Sequence, residues 1–108
     1  MDNTVRIAAV AMSSAMGDPS TNLARIEQWC RSAASAGARF VLFPEECITG
    51  SMNKSDTSPE EAGAIAAEAA ERSVPFLESL CRELRITVVV GTIEQGGRKL
   101  LNSALIVG

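Results

Sequence analysis

The chain has 108 residues, 46% of them hydrophobic, 21% charged and 4% aromatic, which suffices for one globular domain and is too short for two. Its 10 basic residues stand against 13 acidic ones for a net charge of -3, and they form neither a run nor a stripe, so nucleic acid and anionic membrane are poor partners. Nothing approaches the roughly 18 apolar residues of a membrane span, and MDNTVRIAAV lacks the layout of a signal peptide, so the expectation is a soluble, cytoplasmic protein.

Val5 to Met12, VRIAAVAM, is nearly continuously apolar and reads as a strand covered on both faces. Asp18 caps a helix whose first position is Pro19. Leu23, Ile26, Cys30, Ala33 and Gly37 then recur at spacings of three and four, which predicts a helix over 19–36 ended by Gly37. Arg39 to Phe43 is a second short apolar run, stopped by Pro44, and the β-α-β order implies a parallel pair. The stretch ITGSMNKSDT, from Ile48 to Thr57, is polar and aperiodic and reads as loop. Ser58, Pro59 and Glu61 make a capping box for a helix to about Glu71, and Ser73 with Pro75 predicts a restart carrying Phe76, Leu77, Leu80, Cys81 and Leu84 to about Arg85. Ile86 to Val90 is a third strand, and the segment Glu94 to Lys99 turns the chain into a fourth over Leu100 to Val107, antiparallel to the third. The expected order is β-α-β-α-α-β-β, an α/β layered sheet with a hairpin at its end.

Two residue types narrow the chemistry. There is no histidine, which removes Ser-His, Cys-His and His-metal mechanisms for this chain alone, leaving carboxylates, thiols, hydroxyls and lysine. The three cysteines, Cys30, Cys47 and Cys81, are an odd number without CxxC spacing and read as reduced thiols rather than a disulfide framework or zinc site.

The segment Phe43-Pro44-Glu45-Glu46-Cys47-Ile48-Thr49-Gly50 places two carboxylates and a thiol just past a parallel strand, where open α/β sheets bind ligands. Glu45, next to Pro44, is held closest to the strand end. Partial desolvation there would poise it as a base, and the competing reading is a solvated acidic turn. Cys47 lies two residues on and, in an extended segment, would project to the same side as Glu45; it reads as a packing residue all the same. Cys30 and Cys81 fall on apolar helix stripes and read as core, Lys54 and Lys99 as solvated surface, and Asn102 as a polar strand residue that ties its strand to a neighbouring loop. Gly50 and Gly91 mark places where a side chain would block the backbone.

Together VRIAAVAM, Gly17-Asp18 with Asn22-Leu23, AASAGARFVLFPEECITG, the segment Leu84 to Gly91 with Glu94, and Leu101-Asn102-Ser103-Ala104 resemble the amino-terminal part of the nitrilase superfamily of carbon-nitrogen hydrolases. The resemblance covers essentially all of residues 1–108 and implies the first part of a nitrilase-like αββα sandwich. It also implies a Glu-Lys-Cys triad that cleaves nonpeptide carbon-nitrogen bonds of small-molecule amides, nitriles or carbamoyl compounds, with no cofactor or metal, in a homo-oligomer. By position the family's general base falls on Glu45, while its lysine and nucleophilic cysteine lie beyond residue 108. The expectation is therefore a truncated and inactive polypeptide. Two alternatives stand beside it: a small noncatalytic α/β binding module, and an inactive relic that associates with full-length subunits. A receiver domain would want acidic residues after the first strand, and Ala11-Met12-Ser13 supplies none.

Overall fold

In the computed structural model, which describes residues 3–52 and 57–108, the elements run β1 (Ile7–Ala9), α1 (Pro19–Ser35), β2 (Phe40–Leu42), α2 (Pro59–Leu84), β3 (Thr87–Gly96) and β4 (Lys99–Val107). They form one sheet in the order β1-β2-β3-β4, parallel for the first two pairings and antiparallel for the last. Both helices pack on one face of it. Leu23, Ile26 and Cys30 of α1 and Leu77, Leu80 and Cys81 of α2 share a single core with Val41, Val88, Val90 and Ile48.

The helix ends follow the capping signals. Asp18 accepts from Thr21 N at 3.1 Å, and Ser58 accepts from Glu61 N at 3.1 Å, so each helix starts with a proline just inside a side-chain cap. The Thr21 hydroxyl and amide together lower the Asp18 pKa. Arg31 joins the two helices, donating to Glu27 of its own helix at 2.9 Å and to Glu83 of α2 at 3.2 Å.

Three expectations are corrected. The break at Ser73-Pro75 does not occur: α2 is one helix of 26 residues with Pro75 inside it. Pro75 and Glu71, whose carbonyl loses its amide partner, are both exposed, so the break in the ladder falls on the solvent side of the helix. Two residues before Pro75, the Ser73 hydroxyl donates to Ala69 O on the core side of the helix. The interior-proline cost of roughly 3 kcal/mol is offset by burial of Leu77, Leu80 and Cys81 just beyond it. The first strand is also shorter than Val5 to Met12, because its partner β2 has only three residues before Pro44 and offers no further ladder. The third strand is longer than Ile86 to Val90, since β4 pairs with it out to Gly96.

The strands are not covered on both faces by the described residues. Ile7 is 62% exposed, Phe40 41%, Leu42 40% and Ile106 74%. The register aligns them into one patch, Ile7 beside Phe40, Leu42 beside Val89, and Val89 beside Ile106. The near-continuous apolar runs thus have half their burial supplied by α1 and α2, and the other half faces open. The 108-residue chain on its own should therefore self-associate, and sedimentation velocity at micromolar concentration checks it. A single monomer boundary with a sharp cooperative melt would show that the patch needs no cover. Trp29, 48% exposed on α1, stands apart from the core. Among the described residues no helix is long and apolar enough to cross a membrane.

Candidate active site

The β2 strand ends at Leu42, and Phe43 N still donates to Val89 O at 2.9 Å before the chain turns over residues 45–49. The turn is closed by Gly50 N donating to Glu46 O at 2.7 Å, and pinned to β3 by Ile48 N donating to Gly91 O at 3.0 Å. Glu46 has φ 55, a left-handed conformation that costs a non-glycine residue of order 1 kcal/mol. That strain sits one residue from Glu45 and is held in place by the bonds around it.

Two glycines let the turn approach its neighbours. A Cβ on Gly91 would fall inside contact distance of Glu46 N, 2.7 Å from Pro44 O and 2.8 Å from Glu45 C, all backbone. At Gly50, φ is +75 and a Cβ would lie 2.7 Å from Met16 Cα. Both positions need the missing side chain, as read from the sequence.

Behind the turn sits a residue whose part the sequence reading missed. Asn22, on α1 and fully buried, donates to Ala15 O at 2.7 Å and to Ile48 O at 2.8 Å, and accepts from Ala15 N at 2.7 Å. It binds the segment after β1 to the turn after β2, and Ser14 Oγ donating to Cys47 O at 2.9 Å adds a second tie. The signal was present: Asn22 stands one turn before Ile26 and two before Cys30 on the buried stripe, where a polar side chain needs fixed partners.

Glu45 emerges from this frame with its carboxylate exposed, so the expected partial desolvation is not present among the described residues. Asn102 of β4 donates from Nδ2 to Glu45 Oε1, a contact across 57 positions of sequence. Asn102 is exposed, not buried, but it ties its strand to a neighbouring loop as read from the sequence. Glu45 and Asn102, with Phe43, Pro44, Val89 and Ala104, border a shallow depression of about 310 Å³.

The other candidate groups lie elsewhere. Cys47 does not project beside Glu45, because the segment is a turn and not extended. Its thiol is fully buried and donates to Gly91 O at 3.6 Å, and burial raises its pKa. Burial pushes the Cys30 thiol up to about 12 and raises that of Cys81, so all three cysteines are packing residues and none is an activated thiol. Lys99 is exposed at the hairpin, and Lys54 lies outside the described residues.

A sequence model of the carbon-nitrogen hydrolase family matches residues 6–108. The chain is 32% identical over 105 residues to a nitrilase of Pyrococcus abyssi (strain GE5 / Orsay), covering 96% of this chain and 39% of that protein. It is 33% identical over 97 residues to a chloroplastic omega-amidase of Arabidopsis thaliana, covering 88% of this chain and 26% of that protein. The crystal structure of an amidase from Nesterenkonia sp. superimposes with a TM-score of 0.76 at 22% identity, over 94% of this chain and 37% of that one. The chain belongs to the carbon-nitrogen hydrolase family, carries part of the nitrilase fold, and spans less than half the length of these relatives.

Proposed function

We propose that this chain is the amino-terminal part of an enzyme that hydrolyses a nonpeptide carbon-nitrogen bond in a small amide, nitrile or carbamoyl compound, with Glu45 as its general base. The observation that carries the reading is an exposed carboxylate fixed at the carboxyl end of a parallel strand, in a chain of this family. A nitrilase and an omega-amidase among the relatives support the substrate class. Glu45 takes the proton of a cysteine thiol and the thiolate attacks the substrate carbon. An amide expels its nitrogen as ammonia or amine, protonated by Glu45, while a nitrile first gives a thioimidate that adds water and loses ammonia. A further water then hydrolyses the acyl-enzyme to the acid and the free thiol. A lysine stabilises the developing negative charge. In this reading the nucleophilic cysteine lies outside residues 1–108, because the three thiols here are buried packing groups, and the family resemblance assigns the lysine there as well. The three unpaired cysteines suit the reducing cytoplasm, and the apolar face beside β1 and β2 suits a larger assembly of like subunits.

The test is ammonia release from short primary amides, terminal nitriles and N-carbamoyl compounds, comparing the full-length gene product with the 108-residue chain. The full-length product should turn over at least one of these classes, and the 108-residue chain none. A full-length product inactive on all three would leave a binding module or an inactive relic, and activity in the short chain would overturn the division of the triad.

A further inference from the structure

Resting on the reading of Glu45 as base, we propose that Asn102 is its positioning residue, and that the β3–β4 hairpin thereby forms the second half of the catalytic platform. A glutamate at the tip of a turn has three side-chain torsions to fix. The turn fixes only its backbone. The amide Nδ2 of Asn102 donates to Oε1, which selects one carboxylate orientation and leaves Oε2 to receive a proton.

The hairpin supplies this donor with defined geometry. Asn102 stands opposite Ile93, and the ladder runs on both sides of it, from Val88 with Val107 to Gly96 with Lys99. A slip of one residue would send Asn102 to the other face of the sheet. Next to it, Ser103 Oγ donates across the hairpin to Glu94 Oε1 at 2.8 Å, a side-chain tie that holds the same register. The strand that bears Asn102 is paired with the one bearing Gly91, whose bare backbone receives the Glu45 turn. One hairpin therefore sets both the height of the turn and the direction of its carboxylate. Asn102 is itself exposed and outside the core, so its polarity has no packing role to explain it.

The experiment is steady-state kinetics of the full-length enzyme on a primary amide, with Asn102→Leu, Asn102→Gln and Glu45→Gln. Asn102→Leu keeps size and removes the donor; kcat should fall roughly 10- to 100-fold, with KM changed less than about twofold. Asn102→Gln restores an amide donor on a longer arm and should recover part of the lost kcat. A merely structural tie would lower the melting temperature of both variants and leave kcat intact, which overturns the proposal. If Asn102→Leu keeps wild-type kcat while Glu45→Gln is dead, the positioning role falls and the base stands. If Glu45→Gln remains active, both fall.

Discussion

Exchanging Glu45 for glutamine in the full-length gene product should lower turnover by a factor of roughly 10² to 10⁴, the range that a positioned proton acceptor contributes. Thermal unfolding should hardly change, because substitutions at exposed positions generally stay within about 0.5 kcal/mol. The exchange separates geometry from chemistry. The glutamine carbonyl oxygen can still accept from Asn102 Nδ2, so the turn and the side-chain direction are retained. What is lost is the negative charge and with it the ability to take a thiol proton. KM should therefore move little while kcat collapses, the pattern of a group that acts in the transition state. Turnover within a few-fold of wild type would sink the assignment of Glu45 as base, whatever its position at the strand end.

What could be read in the sequence depended on how local each cause is. The two helix starts were legible because Asp18-Pro19 and Ser58-Pro59 with Glu61 cap within four residues of themselves. The end of β2 was legible because Pro44 cannot extend a ladder, and that alone located Glu45 at a strand terminus. Pro75 misled because a proline cost is local while the burial that outweighs it comes from the sheet, through Leu77, Leu80 and Cys81. The desolvation expected at Glu45 likewise depends on what surrounds the turn, and the described residues leave its carboxylate open. The Asn102–Glu45 contact joins residues 57 positions apart, and a polar residue inside an apolar strand pointed to a loop partner for Asn102 without naming Glu45. Asn22 was visible as a polar residue on an apolar stripe, but the two loops it joins meet only through the pairing of β1 with β2.

Gly91→Ala should destabilise the full-length protein by about 3 kcal/mol or more, beyond the usual range for one extra methyl in a packed site. Alanine narrows the unfolded ensemble and so gains roughly 0.4 to 1 kcal/mol over glycine where the native backbone permits it. Here the gain is outweighed, because the new Cβ runs into the backbone of residues 44–46, with Pro44 O at 2.7 Å and Glu45 C at 2.8 Å. A side chain in the way could rotate, but backbone held by Ile48 N to Gly91 O and by Gly50 N to Glu46 O moves only if the turn lifts as a unit. Lifting it breaks those bonds and carries Glu45 away from Asn102, so whatever fraction still folds should also lose kcat. Gly63→Ala provides the contrast within the same molecule. Gly63 lies inside α2, where alanine is favoured by roughly 1 kcal/mol, and the nearest atom to a new Cβ is the flexible end of Gln95 at 3.2 Å. Denaturant midpoints of the two variants should therefore move in opposite directions. A Gly91→Ala protein with an unshifted midpoint and full activity would mean that the Glu45 turn does not rest on β3, and the platform argued for the base would lose its floor.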